Sequence, residues 1–444
     1  MENAFIVQGG KPLNGTIQLE GAKNVALKVT IAALLFDEPV HFKNIPDISD
    51  IKELYHLLES VGAHVKENGE TVTIDPTGLH SHEVDLLHGS KIRVSFMLFA
   101  PFIKRYGKAR IPNPGGCRIG ARPIDRMIDL MNAFGVKTEY DHSTGYYDAT
   151  LDGGVLKGTE YAFAKKTHTG TELAIMLAAM AKGETVIKNA ALEPEIDDLI
   201  SFLNQSGAQI KRSGGEINIL GVEHLSHKAP FSIMCDRNNA VTYAVGALAT
   251  RGDILIKGAK PKHLSTFLSL LDDAGGGHEE QENGMRFFYK GPLHATDVTT
   301  APEPGFMNDW QAPWAILMTQ AEGISSIHET VFENRFGYVS ELNKLGAHIE
   351  YFQPSVDDPN SLYQFDIQSK EAFKQKFQGI RIHGPTHLHG GVMSVSDLRA
   401  GAALLIGACV AEGESVVIGT DQIDRGYEYI EHRLAAVGAS IRRM

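Results

Sequence analysis

The chain has 444 residues, enough for two or so domains with separate cores, and its 43% apolar and 22% charged residues describe an ordinary soluble globular protein. A net charge of −12 argues against non-specific nucleic-acid binding, and an anionic ligand would need cations gathered locally against that field. No apolar run approaches the roughly 18 residues of a membrane helix, the opening Met-Glu-Asn-Ala reads as no signal peptide, and three dispersed cysteines form neither a disulfide framework nor a metal pair, so a reducing cytoplasm is expected.

From the N-terminus, residues 1–21 read as strand-like and are expected to pair with the final strands, 415–418 and 440–443. A unit of roughly seventy residues then recurs six times, and self-similarity at a fixed period governs the fold. Each copy reads helix, strand, loop, helix, strand. The first helices, 26–36, 94–106, 170–182, 240–251, 312–322 and 398–412, carry so few charges that they must be buried on most sides. The second helices, such as 50–60 and 195–206, are amphipathic. Gly62, Gly135, Gly207, Gly275, Gly346 and Gly438 end them, because glycine suits the left-handed position that closes a helix. Gly107, Gly183, Gly252, Gly323 and Gly413 are expected to end the apolar helices in five copies, before runs such as 184–188 and 414–418. The fold class is α/β: two inside-out α/β barrel domains, each of three repeated units around buried central helices. The expected domains are 22–232, and 1–21 with 233–444, the second interrupted by a polar insertion near 351–378.

The most reactive-looking segment is Pro112-Asn-Pro-Gly-Gly-Cys-Arg-Ile-Gly-Ala-Arg-Pro123, which sets Cys117 among three Gly, three Pro and two Arg. Such a loop can move, approach a ligand with its backbone and lower the thiol pKa; the alternative is an inert cysteine in a structural turn. Cys235 and Cys409 sit in apolar contexts and read as core. Lys23 and Asn24 lie at the start of the first buried helix, Arg93 at the second and Asp397 with Arg399 at the sixth; Arg425 lies in a matching loop. Helix N-termini favour anions, and guanidinium groups grip phosphate and carboxylate in pairs, so these cations would converge if the helix starts meet at one interdomain cleft. Singly, each would be a surface salt-bridge partner of little worth. Asp309, before the fifth buried helix, reads as a capping acid or as a general base. His383, His387 and His389 form the one tight histidine group, but Gly384-Pro385 makes a turn of it and indicates no zinc.

Six motifs resemble those of the enolpyruvyl transferases nearly end to end. They are Gly21-Ala-Lys-Asn-x-Ala-Leu-Lys28, Pro114-Gly-Gly-Cys-x-Ile-Gly-Ala-Arg-Pro-x-Asp125, Glu193-Pro-Glu-Ile196, Thr330-Val-Phe-Glu-Asn-Arg-Phe336, Asp397-Leu-Arg-Ala-Gly-Ala-Ala403 and Ile423-Asp-Arg-Gly-Tyr-Glu428. The resemblance implies the same two-domain fold, and transfer of the enolpyruvyl group of phosphoenolpyruvate to the 3-hydroxyl of UDP-N-acetylglucosamine in peptidoglycan precursor synthesis, without metal or organic cofactor. It implies that Cys117 serves proton donation and product release, that Lys23, Asn24, Arg122, Arg399 and Arg425 hold phosphoenolpyruvate, that Asp309 is the base and that Asp397 supports proton transfer. Arg93, Arg122, Pro123, Ile124, Asp125, Lys166, His168, Thr169, Asp309 and Val331 would line the nucleotide-sugar site. The chain departs from the family pattern on the acceptor side. Met307-Asn-Asp-Trp-Gln-Ala312 stands for Pro-Thr-Asp-Met-Gln-Ala, and Asp236-Arg-Asn-Asn239 for Asp-Arg-Ile-Glu. Met127 replaces a His expected near the uracil, and Lys166-Thr-His-Thr-Gly170 stands for Lys-x-Ser-x-Gly. On sequence alone a paralogue acting on another nucleotide or nucleotide-sugar, or a non-catalytic nucleotide-sugar sensor, remains an alternative. The number of subunits is not legible.

Overall fold

Helices without charged faces can only be accommodated by surrounding them, and that requirement organises both halves of this chain. The computed structural model describes residues 3–116, 123–333, 335–367 and 377–444. It divides into two compact units, one of Cys235–Met444 with the N-terminal stretch to Leu19, the other of Glu20–Gly116 with Pro123–Met234. Each has its own hydrophobic core.

In the second of these, the central helices are Lys23–Ala32, Phe99–Tyr106 (continuing a 3-10 turn at Arg93–Leu98) and His168–Ala179. In the other they are Arg237–Ala249, Gln311–Met318 and Leu398–Val410. Every residue of Arg237–Ala249 is buried. By contrast Ser49–Ser60 and Pro194–Gln205 bury only one face, through Ile51, Leu54, Leu57 and Leu58 in the first and Ile196, Leu199, Phe202 and Leu203 in the second.

The sheets repeat one scheme: a short parallel neighbour, a central strand, then an antiparallel hairpin. Glu184–Lys188 lies parallel to Glu160–Ala162 and antiparallel to Glu216–Leu220, which carries Gln209–Ser213. The same order joins Phe231–Ser232, Val40–Lys43, Thr71–Asp75 and His64–Asn68. One sheet is trimmed to Lys108–Pro112, Tyr146–Leu151 and Val136–Asp141, its parallel neighbour reduced to a single bridge from Glu83 to Arg110. The last repeat borrows its middle strand from the start of the chain: Ala4–Gly9 pairs with Gly413–Ile418 on one side and Ser440–Arg443 on the other. Only the first strand of 1–21 behaves as expected, because Asn14–Gln18 instead runs parallel to Asp253–Lys257.

All six turn glycines after the outer helices are left-handed, with φ from 78° at Gly275 to 103° at Gly62. The earlier series is less uniform. In the fourth copy Arg251 takes the left-handed position (φ 59°), and Gly252 is needed because a Cβ there would lie 2.0 Å from the Leu13 carbonyl oxygen. Gly323 ends no helix: the fifth central helix stops at Met318, and Gly323 sits inside the strand Ala321–His328. The region expected as a surface insertion is anchored. Its Tyr363 is fully buried and its hydroxyl hydrogen-bonds His328 Nε2 at 2.9 Å, so 351–378 is not purely a surface excursion.

Candidate active site

In the unit Cys235–Met444, the starts of three buried helices meet in one hydrogen-bonded set. Asp397 caps Leu398–Val410, its Oδ1 accepting from the Arg399 and Ala400 amides at 3.0 and 3.1 Å. The same oxygen accepts from the Arg335 guanidinium at 3.0 Å, and the other arm of that fork donates to Asp309 Oδ1 at 2.6 Å. Arg399 Nε reaches Asp309 Oδ2 at 3.4 Å, and its NH1 donates to Asn239 Oδ1 at 2.8 Å. Asp309, Asp397 and Arg399, three residues singled out in the sequence, are thus brought together, with Arg335 as the bridge. Arg335 and Arg399 are both buried, and the Asp309 side chain keeps 22% exposure, which leaves room for contact with a ligand.

Burial alone would lower the Arg399 guanidinium, but Tyr427, Asp309 and Asp236 hold it above its ordinary value. Tyr427 is itself pushed up by burial, so at neutral pH it is a phenol that faces Arg399 with its ring (5.3 Å) and hydrogen-bonds Thr242 at 2.7 Å. The carboxylates therefore supply the negative charge. Beside this set, Glu329 accepts from the Val331 amide at 2.6 Å and from Gln311 at 3.0 Å, fixing the backbone at Val331. Burial raises the Glu329 carboxyl, while the Val331 and Phe332 amides and Arg335 pull it back. Arg425 is half-buried, its NH1 3.4 Å from Gln422 Oε1.

In the unit Glu20–Gly116 with Pro123–Met234, Lys23 opens its helix and pairs with Asp50 at 2.7 Å, both nearly buried, and Asn24 beside it is half-buried. Arg93 starts the second central segment. The cysteine loop leaves directly over it: a Cβ at Gly115 would strike the Ser90 carbonyl at 1.6 Å, and one at Gly116 (φ 110°) would press Arg93 Cβ at 3.1 Å. Glycine is obligatory at Gly115 for that approach. Cys117 and Arg122 lie outside the described residues. Pro123 and Asp125 are exposed and Ile124 is buried; Asp125 and Arg93 both act electrostatically on the Tyr147 hydroxyl, in opposite senses. Lys166, His168 and Thr169 are half-buried at the start of His168–Ala179, where Thr167 caps the Gly170 amide.

One turn further in, Glu172 is fully buried with Lys28 and His168 each at 3.2 Å, yet neither carboxylate oxygen makes a directed hydrogen bond. Burial would lower the His168 imidazole, but the Glu172 charge outweighs it and raises the group, against Lys28.

Four of the departures from the family pattern are buried, whereas His168 is half-buried. Met127, Asn238, Asn239 and Trp310 are 5%, 2%, 0% and 1% exposed. Trp310 Nε1 donates to Asn238 Oδ1 at 2.8 Å, so two departures satisfy each other, and Asn239 holds Arg399 and the Gly426 carbonyl. Met127 is buried in the hydrophobic core of its unit. Of the remaining cysteines, Cys409 is buried with its thiol pushed up to about 12, as expected of core, whereas Cys235 is only half-buried.

Sequence reasoning missed Arg335, Lys28, Glu172 and Asp50 as parts of these networks. Signals existed: Arg335 lies inside the motif Thr330–Phe336, and Glu172 is an isolated charge within an apolar helix.

The family profile described as EPSP synthase (3-phosphoshikimate 1-carboxyvinyltransferase) matches residues 7–434. The chain is 39% identical over 441 residues to the UDP-N-acetylglucosamine 1-carboxyvinyltransferase of Desulfatibacillum aliphaticivorans, covering 99% of both. It is 40% identical over 442 residues, again 99% of both, to the protein of that name from Solibacter usitatus. Among solved structures, the enolpyruvyl transferase NikO from Streptomyces tendae superposes with a TM-score of 0.84 at 25% identity, covering 100% of this chain and 99% of that one. EPSP synthase from Acinetobacter baumannii shares the fold, with a TM-score of 0.70 at 16% identity over all of both chains.

Proposed function

This chain belongs to the enolpyruvyl transferase family whose profile is described as EPSP synthase, and we propose that within it the chain is a UDP-N-acetylglucosamine 1-carboxyvinyltransferase. It transfers the enolpyruvyl group of phosphoenolpyruvate to the 3-hydroxyl of UDP-N-acetylglucosamine and releases phosphate, a step of peptidoglycan precursor synthesis. The observation that carries the acceptor is the 39% identity across 99% of both chains to a relative of that name. Two of the departures that favoured a paralogue, Asn238 and Trp310, are buried and hydrogen-bond each other, so they weigh less against this acceptor.

Keeping the double bond while losing phosphate requires addition followed by elimination. The sugar oxygen bonds to C2 of phosphoenolpyruvate while C3 gains a proton; then the C2–O bond to phosphate breaks and C3 gives a proton back. Asp309 takes the proton of the acceptor hydroxyl, positioned by the guanidinium groups of Arg335 and Arg399. Cys117 supplies the proton to C3, and Asp397, tied to the same Arg335, supports the transfer. Lys23, Asn24, Arg122, Arg399 and Arg425 hold the phosphate and carboxylate, where preorganised cations stabilise the developing charge without rearrangement. Arg93, Arg122–Asp125, Lys166–Thr169 and Val331 face the nucleotide-sugar. The enzyme works in the cytoplasm; no helix among the described residues is long and apolar enough to cross a membrane.

The test is phosphate release from phosphoenolpyruvate against a panel of acceptors, with products weighed by mass spectrometry. UDP-N-acetylglucosamine should give one enolpyruvyl nucleotide-sugar per phosphate. Turnover only with another uridine nucleotide, or with 3-phosphoshikimate, would move the chain to a different branch of the family.

A further inference from the structure

The histidines of the C-terminal unit are arranged differently from their sequence spacing. His383 is not set against His387; it lies in the strand Gly379–Gly384, directly opposite His348 in the antiparallel strand His348–Phe352. The two imidazoles stack, with centroids 4.1 Å apart and planes 13° from parallel. Glu350 lies two residues along from His348, which puts it on the same face of the sheet. Its carboxylate spans the pair, with Oε1 at 3.2 Å from His348 Nε2 and Oε2 at 3.8 Å from His383 Nε2.

From these positions we infer a binding site for a divalent first-row transition-metal ion, of which Zn2+ is the probe, ligated by His348, Glu350 and His383. Among the described residues these three are the group whose ligand atoms all lie within 4.8 Å of one another. Bond lengths near 2.0–2.2 Å place ligands of a tetrahedral zinc about 3.3–3.6 Å apart, close to the 3.2 and 3.8 Å that separate the carboxylate from the two imidazoles, and the stacked rings would swing apart to aim both nitrogens at one ion. Histidine ligates such ions through an imidazole nitrogen. His383 Nε2 is shielded from solvent yet makes no directed hydrogen bond, so a ligating nitrogen is aimed at the carboxylate with no competing donor or acceptor. Arg381, opposite Glu350 in the register, stacks over the Phe352 ring at 4.3 Å and leaves Glu350 to the two histidines. His348 and Glu350 are 59% and 58% exposed, which leaves the fourth coordination position to water. The ion would tie together the strands His348–Phe352 and Gly379–Gly384.

Tag-free protein, stripped with chelator, is titrated with ZnCl2 by calorimetry and by thermal unfolding. One ion per chain should bind saturably and raise Tm, and His348→Ala and His383→Ala should each weaken binding by about tenfold or more. Both positions lie outside the proposed catalytic set, so phosphate release by the stripped variants should match wild type. Mg2+ should not substitute, because it prefers oxygen ligands. His387 Nε2, 3.5 Å from Glu412, offers a competing two-ligand position, so His387→Ala is the control. Binding lost in His387→Ala but kept in His383→Ala, or the absence of any saturable Zn2+ response, overturns the assignment.

Discussion

The two units each bury a charge network at the start of a central helix, and they stabilise it in opposite ways. Around Asp397, peptide amides and the Arg335 fork satisfy one carboxylate oxygen with three directed bonds of 3.0–3.1 Å. Around Glu172, Lys28 and His168 approach to 3.2 Å with neither oxygen in a directed bond. The first network is fixed by geometry. The second rests on charge balance, so protonation changes its strength. Positioning of reacting groups demands the first kind, and the proposed base sits in it.

The sharpest way to break this contrast is Arg335→Met. Asp309 and Asp397 would lose their shared fork, and phosphate release should fall by about a hundredfold or more, because small misplacements of catalytic groups are that costly. Arg335→Lys keeps the charge without the fork, and steady-state kinetics should find it nearer to Met than to wild type. Next in size, Lys28→Met leaves Glu172 with one cation in a dry site and should cost about 3 kcal/mol in denaturant unfolding. Turnover of the protein that remains folded should change far less than in Arg335→Met.

Met127→His is a smaller disturbance. It places a polar ring in an apolar core position and should cost about 1–3 kcal/mol of stability. KM for the nucleotide-sugar should stay where it is; a lowered KM would return position 127 to the binding surface. Smallest is His168→Gln, and its sign depends on pH. The His168 group is raised in the folded chain, so its contribution is fully present below about pH 6.5 and disappears as pH climbs through the raised value. The stability gap between wild type and variant should therefore be wider at pH 6 than at pH 9. A gap independent of pH would mean that charge balance does not hold this network.

Much of the architecture was legible because it repeats. Buried helices announce themselves by lacking charges, and the six turn glycines by their spacing, and the strand 184–188 falls where it was expected after Gly183. Pairing across the chain was only partly legible: Ala4–Gly9 joined the last sheet, but nothing in the composition of Asn14–Gln18 told it apart from a second strand of that sheet. Gly323 misled because a left-handed glycine serves a strand bend as well as a helix end. In the site, Asp309, Asp397 and Arg399 were found by their positions at helix starts. Arg335 was not, since it approaches from a loop whose contacts depend on tertiary placement. The substitutions at Asn238 and Trp310 looked like two losses until their 2.8 Å hydrogen bond showed one exchange.

In the proposed mechanism Asp309, held by two guanidinium groups, takes the acceptor proton. Asp309→Asn keeps the shape and removes the base, so wild type and variant can be compared on one day with phosphoenolpyruvate and UDP-N-acetylglucosamine. Measured on protein that remains folded, phosphate release should fall by about 10²–10⁴-fold, whatever Tm the uncovered guanidinium groups cost. A variant that keeps more than about a tenth of the wild-type rate, well short of what loss of a general base removes, would contradict this mechanism.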